Sequence, residues 1–471
     1  MGVGPVKRLF IKFFDISSKL ERITHNFSID MGKRVSLIFV FVFTIIAVMD
    51  STIVQFFTYN EVELPISSNV DIFILFYLTF AASGIILLIY SKNSIRSDYK
   101  LSVNIRHFYR ITFTTHIGMT ALILIIVIQM IVLNKYNIFL LNASTYLTHT
   151  VSIIFLATLV WMLVGWLRSN RNRIIFLYAL SFSLVLASLI VSMIYLEHQF
   201  SRSYSIDRKP YPIFLYVIRQ DVTPLSQSLN TVFDFLSVIS FSTIWIASIA
   251  LLNEYRFKVG KIKFFVLISI PLAYYLLTFN TYFGNVFSPL VLNSPVEFGK
   301  TYVLIFSAPE QVGAFLFSLA FWTASSVIVN KRFRKSLLIS SIGIVMLFGS
   351  IEITTLQYRL YPPFGLVTEA FIPLGSYLVL IGIFNSAINV AHDRQLRKDI
   401  YSSAKSQLSL LNTIGVTQME KELLKKIKSM EQLAVKSGRS DEHYAEEEDV
   451  KGIVREVLNE LYHKNLKRTE E

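Results

Sequence analysis

The residues best suited to chemistry in this sequence are ionisable side chains inside or beside long apolar segments. Asp50 is the clearest, because it lies well within an apolar run and is followed by Ser51 and Thr52. Ionisable residues are costly within a membrane and mark functional sites by default. Two interpretations of Asp50 stay open. It is either a carboxylate that binds a proton, a cation or a cationic ligand, or a polar contact between helices, with Ser51, Thr52 or a histidine as partner.

Five further ionisable residues fall near segment ends that the orientation argument below assigns to the outer side. They are His149, Asp234, Glu310, Glu352 and Glu369. If these side chains converge, they form an outward-facing acidic cup for a ligand or an ion. Each one alone is also explained by contact with water at the membrane interface. A water-filled cavity reaching Asp50 would favour transport or ligand binding, and a packed bundle would favour signalling.

The sequence contains no motif typical of other kinds of catalytic or metal-binding chemistry. Cysteine is absent, which excludes disulfides, thiolate nucleophiles and cysteine-ligated metals. The patterns GxxxxGK[ST], HExxH and GxSxG do not occur. We therefore predict no catalytic residue, no metal site and no cofactor, although an enzyme that works inside the membrane with scattered carboxylates stays open.

The elements that position these residues are apolar segments long enough to cross a membrane. The chain is 53% hydrophobic and only 16% charged, against about 25% charged in a soluble domain. A membrane-spanning helix needs about 20 mostly apolar residues. The candidates are Val35–Phe57, Val70–Tyr90, Tyr109–Val132, Thr145–Leu167, Ile174–Leu196, Asn230–Leu252, Phe264–Tyr282, Gln311–Val329, Leu337–Ile353 and Leu366–Val390. They predict an all-α, polytopic bundle of ten transmembrane helices.

The distribution of lysine and arginine predicts the orientation of this bundle. Alternate connections that include the chain start hold 23 basic residues, and the opposite connections hold 7. Basic residues concentrate on the cytoplasmic side, so both termini are predicted to be cytoplasmic in a cell membrane. Residues after Val390 hold 15 basic and 15 acidic side chains, so the net charge of +13 belongs to the membrane region. That charge favours contact with anionic lipid rather than nucleic acid.

Three regions follow from this pattern. Residues 1–34 form a basic amphipathic segment, residues 35–390 the ten-span region, and residues 391–471 a helical cytoplasmic tail. The tail continues the last span without proline or glycine, through a predicted signal exit helix that contains Leu396, Arg397 and Ile400. A coiled-coil-like apolar stripe follows, which predicts contact with a cytoplasmic protein or a second copy of the chain. Residues 301–310 are either re-entrant or an extension of the eighth span.

The last span and its exit carry a resemblance to a known group of proteins. The residues concerned are Tyr361-Pro362-Pro363-Phe364-Gly365-Leu366-Val367-Thr368, Gly375-Ser376-Tyr377-Leu378, Gly382-Ile383, Ser386-Ala387 and Leu396-Arg397-Lys398. Residues 360–415 resemble the end of the membrane region in archaeal multi-span sensor-like proteins, some of which are joined to histidine kinase domains. The resemblance implies a membrane sensor. The residues after 391 are too few for an ATP-binding catalytic domain, so the signal would pass to a partner.

The sequence therefore leaves two candidate functions open. The first is a sensor or signal transducer that passes a conformational change through the last span to the tail. The second is a secondary transporter coupled to protons or cations through Asp50. Many transporters interrupt matching helices of two inverted repeats with glycine or proline. The first and sixth predicted spans contain neither residue, which counts against one such plan.

Overall fold

The structure, a computed structural model, describes ten stretches of the chain: residues 33–60, 66–96, 103–169, 173–200, 205–207, 224–254, 260–278, 309–327, 331–351 and 361–392. Residues 1–32 of the predicted N-terminal segment and nearly all of the predicted tail, including Leu396, Arg397 and Ile400, lie outside the described residues.

Within these residues the protein is a bundle of α-helices. The helices are α1 Lys33–Asn60, α2 Ile66–Arg96, α3 Val103–Leu133, α4 Ile138–Ser169, α5 Arg173–Phe200, α6 Pro224–Glu254, α7 Lys261–Thr278, α8 Pro309–Val327, α9 Lys331–Ser350, α10 Leu366–Glu369 and α11 Ile372–His392. Each of the ten predicted segments overlaps a helix. Six helices of the described region are long and apolar enough to cross a membrane, so the predicted all-α membrane fold is confirmed at this level. The count of ten crossings stays a prediction.

The tenth predicted segment, Leu366–Val390, overlaps the apolar helical stretch Leu366–Ile388, which is long enough to cross a membrane. The structure divides it into the short helix α10 and the long helix α11, with a break at Ala370 and Phe371. Pro373 explains the break. A proline has no backbone N–H to donate to the carbonyl of Glu369, and its ring crowds that carbonyl.

The eighth helix begins at Pro309, close to the predicted start at Gln311. Proline suits the first turn of a helix, where a backbone N–H has no intrahelical partner. Residues 301–308 lie outside the described residues, so the alternatives for that stretch stay open.

α11 lies in the centre of the bundle and packs antiparallel against α9. In the most apolar stretch of Leu366–Ile388, which includes most of α11, 94% of the residues are buried within the protein. A Cβ atom added to Gly343 of α9 would lie 2.6 Å from the backbone nitrogen of Val379, and one added to Gly375 of α11 would lie 2.7 Å from that of Leu347. The two backbones therefore approach so closely that only glycine fits at these positions.

One end of the bundle is closed by a small sheet and a tyrosine pair. Strand β1, Lys135–Asn137, pairs antiparallel with β2, Ser205–Asp207. The hydroxyl of Tyr361 donates to the carbonyl of Met130 at 2.7 Å, and its ring lies 6.3 Å from that of Tyr136. The end of α3, the start of α4 and the chain leading into α10 therefore meet here, at what we term the strand end of the bundle.

Candidate functional site

The break between α10 and α11 lies beside three buried ionisable side chains. Asp50 comes from α1, His149 from α4 and Glu369 from α10, and their exposed fractions are 0%, 1% and 4%. Thr368 bonds to Asp50, and the next residue in the chain, Glu369, pairs with His149. We call these residues, with the hydroxyl groups described below, the polar cluster.

Asp50 connects α1 to α10 through Thr368. Its Oδ2 atom accepts hydrogen bonds from the backbone N–H of Thr368 at 2.9 Å and from the Thr368 hydroxyl at 2.6 Å. That N–H lies in the first turn of α10, where helical N–H groups lack an intrahelical acceptor. Asp50 therefore makes a polar contact between helices, one of its two interpretations. Its partner among the described side chains is Thr368, which the sequence analysis did not name.

His149 and Glu369 form the second part of the polar cluster. The Nδ1 atom of His149 lies 3.1 Å from Oε1 of Glu369 and 3.0 Å from the backbone carbonyl of Thr145. Both neighbours accept hydrogen bonds, so we assign the proton to Nδ1. The Nε2 atom then faces the hydroxyl of Ser192 on α5, at 2.9 Å. That hydroxyl can act as donor or acceptor, so both ring nitrogens have partners whether or not the imidazole is charged.

Threonine hydroxyls of α4 complete the surroundings of Glu369. Thr148 lies 3.3 Å from Oε1, and Thr145 lies 3.5 Å from Oε2, at the outer limit for a hydrogen bond. Roughly 16 Å of helix separates His149 from the start of α4 at Ile138, given 1.5 Å per residue. Both side chains are buried within the bundle, which disfavours contact with interfacial water, one of the two interpretations of His149 and Glu369.

The remaining predicted site residues cannot be placed in the polar cluster. Asp234 lies on α6 and Glu310 on α8, but their side chains are outside the described part of the chain, as is the whole of Glu352. The structure therefore pairs His149 with Glu369 and bonds Asp50 to Thr368, the residue before Glu369.

Sequence reasoning missed the hydroxyl partners, although one signal for them exists. Thr145, Thr148, His149 and Ser152 follow the spacing that places side chains on one face of a helix, so α4 carries a polar stripe. Thr368 carries no comparable signal, because its partner Asp50 is far away in the chain.

His116 of α3 is a buried histidine outside the polar cluster. Its Nε2 atom lies 3.3 Å from the carbonyl of Ala81 on α2, and its ring packs 4.7 Å from Phe80. Phe80 in turn lies 4.8 Å from Phe371. His116 therefore joins two helices, and aromatic rings separate it from the break after α10.

The arrangement suits the holding of a proton or of charge inside the bundle. Among the described residues, no three histidine, cysteine or acidic side chains are grouped to hold a metal ion. The polar cluster combines two carboxyl groups with one imidazole, side chains that can each bind or release a proton.

The fold and the buried polar cluster together define an integral membrane protein of the all-α class. Comparison of the chain with known proteins found no relative. No protein-family model matches the chain, and no curated protein or solved structure is significantly similar to it.

We expect Thr368→Val to lower the stability of the protein by about 1–3 kcal/mol, because a buried carboxylate loses one of its hydrogen bonds. Unfolding in mixed micelles with increasing denaturing detergent measures the change. Thr44→Val is the matched control, since Thr44 is buried on α1 but bonds only within its own helix, to the carbonyl of Val40. Equal effects of the two substitutions would contradict a specific link between α1 and α10.

Proposed function

We propose that the protein is a membrane sensor or signal transducer in which α11 carries the state of the polar cluster to the residues beyond His392. The main support is the position of the cluster. Thr368 and Glu369 directly precede the break, and the central helix α11 begins at Ile372. A change in the bonds of Asp50 or His149 therefore acts on the start of the helix that leads towards the predicted tail.

The closed surroundings of Asp50 favour signalling over transport. Its side chain has no exposed surface, and the helix that follows the break is almost wholly buried. A signal transducer needs two packing arrangements of its helices, whereas a transporter also needs a path for its substrate.

The proposed topology has ten crossings with both termini in the cytoplasm. Ten helices or helix pairs overlap the ten predicted segments, and the excess of lysine and arginine supports this orientation. The strand end of the bundle would then face outward. The predicted helical tail would bind a cytoplasmic protein or the tail of a second copy.

The resemblance to archaeal sensor-like membrane proteins supports the same proposal. Its matching residues include Thr368, which bonds Asp50, and Gly375, which packs against the backbone of α9. These positions therefore have definite roles in placing α11.

The absence of cysteine permits a direct test by spin labelling. Ser169→Cys at the end of α4 and Ala391→Cys near the end of α11 place two labels at the end of the bundle opposite the strands. We expect Asp50→Asn to change the distribution of distances between the two labels in lipid nanodiscs, because the link from α1 to α10 is altered.

Asp71→Asn is the control, because Asp71 is an exposed acid on α2 and its replacement should leave the distances unchanged. Identical distributions for the labelled protein with and without Asp50→Asn would overturn the proposed coupling.

A secondary transporter coupled to protons or cations is the second candidate, and the break between α10 and α11 favours it. Transporters bind ions near the middle of the membrane, where discontinuous helices and carboxylates meet. Protein in vesicles that enclose a pH-sensitive dye separates the two functions. A proton flux driven by an imposed gradient and lost in Asp50→Asn would support transport, and its absence would leave the signalling proposal.

A further inference from the structure

Asp50 and Glu369 are both buried, but within the described part of the chain only Glu369 has a partner able to carry positive charge. His149 lies within ion-pair distance of Glu369, so one proton shared by the two leaves that pair neutral. The hydrogen bonds to Asp50 come from Thr368, a neutral residue. An ionised Asp50 would therefore be a net negative charge inside an apolar bundle, which is strongly unfavourable.

The two oxygens of Asp50 are in different surroundings. Oδ2 accepts both hydrogen bonds from Thr368. The backbone of Gly365 also interacts with the carboxyl group, but Oδ1 is buried with no partner of hydrogen-bond geometry. A buried polar atom without a partner is rare and calls for an explanation.

We propose that the polar cluster is a binding site for one exchangeable proton, carried on Oδ1 of Asp50. A hydronium ion delivers the proton, an O–H bond forms at Oδ1, and a water molecule is left behind. This proton site depends only on the polar cluster. The proposal therefore holds whether the protein is a signal transducer or a transporter.

The chemistry of the neighbours favours a proton over a metal cation. Thr368 turns hydrogens, not lone pairs, towards Asp50, because both its N–H and its hydroxyl donate to Oδ2. Around Glu369, the Nδ1 proton of His149 likewise points at the carboxylate. A bound metal cation needs several oxygen lone pairs directed at one point. A proton needs only one lone pair, and Oδ1 of Asp50 supplies that lone pair.

The helices that pack most closely against α1 are α8, α9 and α10. α10 contributes Glu369, which pairs with His149 of α4, and α8 contributes Glu310, whose side chain is outside the described residues. On α3, His116 lies behind the rings of Phe80 and Phe371. The basic residues of α9 are in the range 331–335, at the opposite end of that helix from Ser350, which leads towards α10.

Proton binding at Asp50 would alter the link from α1 to α10. A hydrogen bond to an ionised carboxylate is roughly twice as strong as one to a neutral acceptor. Protonation therefore weakens the hold of Asp50 on Thr368. By linkage, any movement that pulls Thr368 away raises the affinity of Asp50 for the proton.

Infrared difference spectroscopy of the full-length protein in phosphatidylcholine vesicles tests the site. We expect the carbonyl band of a protonated carboxyl group to rise and fall with pH. The band should shift when aspartate is labelled with carbon-13 in its side-chain carboxyl, disappear in Asp50→Asn, and persist in Asp71→Asn. The isotope arm uses the unaltered sequence, so the test stands even if Asp50→Asn fails to fold.

Three results would overturn the proposal. The first is the absence of a protonated carboxyl band over the pH range in which the protein stays folded. The second is a band unaffected by labelled aspartate, which would place the proton on a glutamate. The third is a band that changes at constant pH when choline is replaced by sodium, which would identify the ligand as an alkali cation. A proton site with no effect on the spin-label distances would leave this inference standing while contradicting the proposed signalling role.

Discussion

Replacing His149 by leucine is expected to lower the free energy of unfolding by about 3–5 kcal/mol, the usual cost of removing one partner of a buried ion pair. Glu369 would then remain buried with only threonine hydroxyls near its oxygens. Ser192 would also lose the ring nitrogen that it contacts at 2.9 Å. Denaturing-detergent titration in mixed micelles, followed by circular dichroism, measures the effect.

The double variant His149→Leu with Glu369→Leu should recover most of this loss, because no unpaired charge remains when both partners become apolar. His107→Leu provides the control, since His107 is an exposed histidine on α3. A double variant as unstable as the sum of the two single variants would show that His149 and Glu369 act independently, against the pairing in the structure.

The helices of this protein could be predicted because their cause is local. Long runs of leucine, isoleucine, phenylalanine and valine leave few alternatives to a helix in a membrane. The division of the tenth segment into α10 and α11 was not predicted, although Pro373 is visible in the sequence. A proline near the start of a helix is compatible with an intact helix, so its position relative to Glu369 becomes informative only once the start of α10 is known.

The polar cluster was predicted only in part, for a different reason. Asp50, His149 and Glu369 stand out singly, because each is an ionisable group in an apolar setting. Their convergence depends on how α1, α4 and α10 pack, and on a bond between Asp50 and Thr368 that spans 318 positions of the chain. Side chains so far apart in sequence are brought together by tertiary packing, which one sequence does not reveal.

The close packing of α9 against α11 leads to the second large effect. We expect Gly343→Ala and Gly375→Ala each to destabilise the protein by about 2–3 kcal/mol, at the upper part of the range for overpacking. The new Cβ atom would lie 2.6 Å from the nitrogen of Val379 in the first variant and 2.7 Å from that of Leu347 in the second. Backbone atoms cannot rotate away as a side chain does, so the two helices must separate.

Gly313→Ala is the informative comparison for this pair of helices. Its added Cβ would meet the tip of the Phe241 ring, a side chain and not a backbone, so a smaller loss is expected in the same detergent titration. If Gly313→Ala cost as much as Gly343→Ala and Gly375→Ala, the close contact of α9 with α11 would not be what fixes α11. A loss confined to the α9–α11 variants would instead show that the close contact with α9 holds α11 in place at both of these positions. In that case a displacement of α11 that starts at Thr368 and Glu369 must also shift its contact with α9.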